Sequence, residues 1–164
     1  MATWTAMDNL SAGDLVTEAD MDAIRGNIEY LLTPNSDINE RTTSNYTTTS
    51  STFADVDGTN LELTITTYGG PVLVFLIGNY THSSNGVYTA FDIDVDGTRE
   101  GGTEGLLRPT YASSTTIANV SFVHVIAGLS AGSHTFTLQW KTDSGTATLY
   151  ASAGTPCFFG AIEI

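Results

Sequence analysis

The chain has 164 residues, 18 of them acidic against 5 basic, and a formal net charge of −13. It therefore lacks the cationic surface needed to neutralise phosphates or anionic headgroups, which argues against nucleic acid and acidic membranes as partners. Only 14% of the residues are charged, so the polar surface must come largely from Thr, Ser, Asn and Gly, a composition that suits a β-protein better than a helical enzyme; the length fits one domain with a real core plus a short appendage.

Residues 1 to 15, MATWTAMDNLSAGDL, contain no basic segment followed by an apolar stretch of signal-peptide length. No later run approaches the roughly 18 apolar residues of a membrane span. The product is expected to start soluble in the cytosol, without membrane insertion. Trp4, Leu10 and Leu15, with Val16, make an apolar arm suited to docking onto something larger. Thr17-Glu18-Ala19-Asp20 then reads as a helix start, with Thr17 as N-cap and Asp20 close to the free amides of the first turn. Met21, Ile24, Ile28 and Leu31 follow at spacings that align them on one stripe, while Asp22, Arg25 and Glu29 face elsewhere. Two readings of the stripe stand: packing on its own domain, or meeting copies of itself. Thr33-Pro34-Asn35 stops the helix, so residues 1–34 form an arm and anchoring helix.

Residues 35–45 belong to a polar, Thr- and Ser-rich stretch without helical period, and read as a linker leading to an edge strand near Tyr46. Residues 46–164 read as strands. Leu61, Leu63 and Ile65 alternate with polar neighbours, as do Phe91, Ile93 and Val95, and Phe136, Leu138 and Trp140. VLVFLI, residues 72 to 77, is apolar on both faces and belongs at a sheet centre. Further strands are expected around 118 to 127, 145 to 152 and 157 to 164. About eight strands separated by Gly- and Asn-containing turns predict a mainly β, two-sheet sandwich of jelly-roll type. The connection from 98 to 116 is long for a compact domain and is the first place to look for a contact surface.

Several motifs suggest chemistry and fail on spacing. Asp92, Asp94 and Asp96 followed by Gly97 resemble the start of a calcium loop, but the twelfth position is Thr103 and no helices flank the segment. DVDGT recurs at 55 to 59, so Asp57-Gly58 and Asp96-Gly97 are both read as tight hairpin turns with positive backbone angles. Three carboxylates on one strand still need something to screen them. Gly128-Leu129-Ser130-Ala131-Gly132 matches a hydrolase elbow, yet a strand, not a helix, follows Ser130. His82, His124 and His134 lack metal-ligand spacing, and Cys157 has no second Cys to pair with and reads as a small buried hydrophobe. No catalytic residue, metal site or cofactor is expected.

Two stretches carry a family resemblance. TWTAMDNLSAGDLVTEADMDAIRGNIEYLL, residues 3 to 32, resembles the N-terminal segment of small structural proteins of tailed bacteriophages, where a Trp-containing arm and a Thr-capped helix precede a β-domain. The remainder, with its DVDGT turns, GLSAGSHTFTLQWKT and a closing FFGAIEI, is similar to trimeric jelly-roll modules of tumour-necrosis-factor and C1q type on phage fibres, spikes and capsid decorations. The resemblance implies a homotrimer with Met21, Ile24, Ile28 and Leu31 gathered on the symmetry axis and apolar strand faces packed between subunits. It implies a non-enzymatic component of the virion, made in the host cytoplasm and docked on other capsid or tail proteins. The alternative from another class is a glycan- or receptor-binding module that uses Tyr111 for stacking and Arg108 for hydrogen bonding.

Overall fold

The computed structural model describes residues 15–32, 34–111 and 116–164 and divides into two units, Met1–Pro34 and Asn35–Ile164. In the first, α1 spans Glu18–Leu32. Thr17 caps it as expected. The Asp20 amide donates to Thr17 Oγ1 at 3.2 Å, while the Thr17 amide and hydroxyl donate back to Asp20 Oδ2 at 2.8 and 2.7 Å. This reciprocal box satisfies amides that the first helical turn leaves free.

The second unit holds twelve strands among the described residues: β1 Ser36–Thr43, β2 Tyr46–Thr48, β3 Ala54–Asp55, β4 Glu62–Tyr68, β5 Val72–His82, β6 Val87–Val95, β7 Thr98–Arg99, β8 Thr110–Tyr111, β9 Ala118–Ile126, β10 Ala131–Thr142, β11 Ala147–Tyr150 and β12 Ser152–Glu163. They form two sheets. In the first, β5 is central: β9 lies on one edge, β12 and β11 follow one another along its other edge, and β1 and β2 pair beyond them. In the second, β10 pairs with β4 and β3 on one side and with β6 on the other, and β7 and β8 line the far edge of β6. From β4 to β11 the long strands pass back and forth between the sheets, which makes the unit a jelly-roll sandwich.

The expected alternation places the core. Leu61, Leu63 and Ile65, then Phe91, Ile93 and Val95, then Phe136, Leu138 and Trp140 all turn inward and are buried, meeting Val72, Val74 and Leu76 from the facing sheet. Tyr80 sits edge-on to Phe91 and Tyr111, with ring centroids 6.1 and 5.4 Å away. Cys157 is fully buried beside Gly78, and burial pushes its thiol up to about 12, so it packs as a small hydrophobe.

Three expectations need correction. Residues 35–45 are no linker: β1 runs antiparallel to β12 from Ser36↔Ile162 to Arg41↔Cys157. The backbone ladder, which no side-chain pattern reports, holds this polar edge strand. Asp57-Gly58 is no hairpin, because Gly58 does not take a positive φ. Asp57 Oδ1 instead accepts the Thr59 and Asn60 amides at 3.0 Å each, and its carbonyl accepts the Leu61 amide at 2.9 Å. Only Asp96 and Gly97, at φ 52° and 85°, make the expected tight turn, joining β6 to β7. Finally, 98–111 is not a free loop. Phe91 and Leu107 form a bridge, and Thr89 donates to Pro109 and Gly86 to Tyr111, so the segment is zipped along β6.

Candidate functional site

Strands of a half-buried sheet usually carry apolar residues on one face and polar ones on the other. The first sheet departs from this. On the side away from the core, register sets Val125 beside Leu73 and Leu73 beside Ile162; the next row is Val123, Phe75, Gly160 and Ile38; the next is Ser121, Ile77, Phe158 and Glu40. Ile38, Ile77, Val123 and Val125 are 51, 53, 64 and 48% exposed. Gly160 is needed here because the Phe75 ring lies where a Cβ would stand, which lets the aromatic side chain lie flat across β12. Scattered apolar residues on a surface are ordinary, but a contiguous apolar face across four strands marks an interaction site.

The second sheet turns hydrogen-bonded polar residues outward. Thr64 pairs with Thr135 at 3.3 Å, Thr137 donates to Glu62 at 3.3 Å, and Gln139 donates to Asp55 at 2.8 Å. The three aspartates of the sequence motif are screened one by one. Asp92 is fully buried; Oδ1 accepts the Ile93 and Gly101 amides at 2.9 and 2.8 Å, and Oδ2 meets Arg99 Nη1 at 2.6 Å. Asp94 Oδ1 accepts the Gly97 amide at 2.7 Å. Asp96 accepts the Thr135 amide at 2.8 Å and faces His134 Nδ1 at 2.7 Å.

His134 Nε2 lies 2.9 Å from the Ser130 carbonyl. Both ring nitrogens thus face oxygens that only accept, which favours the doubly protonated imidazolium. The Asp96 carboxylate, then the Ser130 carbonyl, raise the His134 pKa above 6.5. Burial works to raise Asp96, but the Thr135 amide and His134 outweigh it, and its pKa falls below the ordinary value. His82 goes the other way. Its Nδ1 accepts the Ser84 amide at 3.1 Å, so Nε2 carries the proton toward Thr142 Oγ1 at 2.8 Å, and burial lowers its pKa. His134 meets the backbone carbonyl of Ser130 rather than its hydroxyl, and β10 begins at the next residue, so the elbow pattern is a strand-entry turn. Among the described residues, no three His, Cys, Asp or Glu side chains gather as for a metal ion.

The expected site residues are dispersed. Met21 and Ile28 are 55 and 50% exposed on α1, and Ile24 is less so; Leu31 is in the helix, with its side chain outside the described part. Leu15 is 89% exposed, and Trp4 and Leu10 lie outside the described residues. Tyr111 is buried in the core with its hydroxyl 2.7 Å from Thr81 Oγ1, so its ring cannot stack on a ligand. Arg108 pairs with Glu104 at 2.9 Å and lies over the Tyr88 ring. Tyr111 is the residue at which the segment pairs back with β6, opposite Val87. The apolar outer face was not assembled from sequence, although VLVFLI signalled half of it.

No family model and no curated protein matches the sequence. Among solved structures, the chain is similar to Eiger TNF from S. frugiperda, at 13% identity and a TM-score of 0.48, over 80% of this chain and 94% of that one. It is also similar to murine APRIL, at 14% identity and 0.44, over 80% of this chain and all (100%) of that one. A chain of infectious bursal disease virus, Gx strain, is similar at 14% identity and 0.42, over 80% of this chain but 36% of that longer one.

Proposed function

We propose that the chain is a non-enzymatic structural component of a virus particle, a homotrimer that closes its own apolar sheet face and is anchored by its N-terminal arm and helix. The supporting observation is the outer face of β9, β5, β12 and β1. Leu73, Phe75, Ile77, Val123, Val125 and Ile162 stand together in adjoining rows of one sheet face. Copies meeting there gain about 25 cal/mol per Å² of apolar area removed from water, less the ordering cost of association. The net charge of −13 keeps separate assemblies apart in solution. The exposed Met21 and Ile28 give α1 a stripe to offer either sister helices or the particle.

The phage location draws its support from the resemblance of residues 3 to 32. Particles lacking the protein, incubated with the full chain or with a chain lacking residues 1–33, test it. Uptake of the full chain as a trimer and loss of uptake on truncation support the reading; equal uptake of both removes the anchoring role.

A further inference from the structure

Two of the five basic residues of this acidic chain, Arg99 and Lys141, converge on one ring. The Arg99 guanidinium carbon is 4.0 Å from the centre of the Phe53 ring, and Lys141 Nζ is 4.9 Å from it. Together with Ser51, Thr52 and Thr103 they line an open cleft of about 380 Å³. Its supports are rigid. Asp92 holds the Gly101 amide and Arg99, and the Gly105 amide bonds back to the Gly102 carbonyl at 3.1 Å. Gly105, at φ +75°, is pressed so close to Phe53 and the Phe91 carbonyl that a Cβ would fall within 2.9 Å of the first and 2.6 Å of the second. Cations, ring and loop are therefore set in place before any ligand arrives.

The charges do not balance. Asp92 pairs with Arg99, but Lys141, only 8% exposed, makes no ion pair among the described residues; its ammonium donates to the Thr103 carbonyl at 2.6 Å and lies by the ring. A lysine ammonium has three donors, and the Thr103 carbonyl takes one of them. Arg99 gives Nη1 to both Asp92 and the Gly102 carbonyl, which leaves the rest of its fork. Two cations against one carboxylate leave a single positive charge in excess.

We propose that this cleft binds a singly charged oxyanion, a carboxylate or sulfate ester, borne on a small hydroxylated ligand such as a sugar acid. The oxyanion supplies the missing partner of Lys141, and the hydroxyl groups of Ser51 and Thr52 at the rim suit the ligand's own hydroxyls. The volume is at the small end for a binding cleft and fits one ring rather than a long chain. A dianion such as phosphate would bring a second negative charge that nothing in the cleft balances. The cleft belongs to the polar sheet, so its occupancy does not depend on the association proposed above.

The test is titration of the full chain at about pH 8, where inorganic phosphate is mostly the dianion, by calorimetry and by NMR shifts of the Gly101 to Gly105 amides, with glucuronate, glucose 6-sulfate, glucose and inorganic phosphate. The expected result is saturable binding of glucuronate or glucose 6-sulfate with a Kd of about 1 mM or tighter; which of the two binds more tightly distinguishes a carboxylate from a sulfate source. Glucose and phosphate are expected to bind at least tenfold more weakly. Lys141→Met, which replaces the ammonium by an apolar chain of similar length, is expected to lose binding by tenfold or more at unchanged thermal midpoint. Equal binding of glucose and glucuronate, preference for phosphate, no saturable binding of either acid, or full binding by a folded Lys141→Met protein would each overturn the proposal. Should that variant fail to fold, the ligand series on the unaltered chain still decides.

Discussion

Outward from the first sheet, Leu73, Phe75, Ile77, Val123 and Val125 meet solvent with no side-chain hydrogen bond to make; outward from the second, Thr64, Thr135, Thr137, Gln139 and Asp92 each find a partner within the chain. The two faces belong to one sandwich and share one core, so folding of a single copy does not account for the difference. On the second face these polar side chains are satisfied within the chain. The first leaves its apolar side chains in water, and the proposed trimer would cover them in every copy at once.

The largest effect is expected from charging the incomplete face. Val123→Asp with Val125→Asp should weaken each subunit contact by about 4 kcal/mol or more, roughly a thousandfold, because each valine forfeits its burial and each carboxylate must be desolvated. Light scattering should then report single chains with unchanged circular dichroism. Thr64→Asp on the polar face should leave the mass as it was.

Within the polar face, the effects should follow burial. Asp92→Ala removes a fully buried carboxylate that holds two amides and Arg99. It should cost about 3 kcal/mol in urea unfolding at fixed protein concentration, the low end of the usual range for breaking a buried pair, because Arg99 is partly solvated. Asp94→Ala loses one turn amide and should cost about 1 kcal/mol.

The smallest effect concerns pH. His134 has a folded pKa raised above 6.5, so its contribution is full below that value and fades as pH rises through the folded pKa. Asp96 is lowered, so its share is present above the ordinary carboxylate range and is lost in acid. The pair is therefore at its best between about pH 4 and pH 6.5. His82, lowered by burial, runs opposite to His134 and gives its full share above 6.5. Unfolding curves of His134→Gln against the unaltered protein should differ more at pH 5.5 than at pH 8, by less than the cost of Asp94→Ala; an equal difference at both would deny His134 its charge.

The sequence already carried part of this contrast. A strand such as VLVFLI, apolar at every position, announces burial on both sides, and in the structure Val72, Val74 and Leu76 face the core while Leu73, Phe75 and Ile77 face out. The pattern was right about the strand's preference and silent about who covers the second side. Val123, Val125, Phe158 and Ile162 could not be added to that face from sequence, because which strands neighbour β5 is decided by sheet order and register. Alternation found the inner rows of β4, β6 and β10, where side-chain burial drives pairing. It missed β1, whose SDINERTT offers a backbone ladder and little else. The two DVDGT copies diverge for a similar reason. One is followed at once by Arg99, which pairs with Asp94, and the other by Asn60, whose side chain and amide both bind Asp57. Tyr111 and Lys141 illustrate the limit from both sides: an aromatic residue assigned to a ligand lies in the core, while a lysine in a strand lies beside a cleft that only the folding-back of 99–105 creates.

Sedimentation equilibrium of the unaltered chain across a hundredfold dilution tests the central claim most directly. A species of three times the 17.4 kDa chain mass, persisting until dilution separates it into less stable single copies, is the predicted result. A folded 17.4 kDa particle with the same unfolding midpoint at every concentration would contradict it.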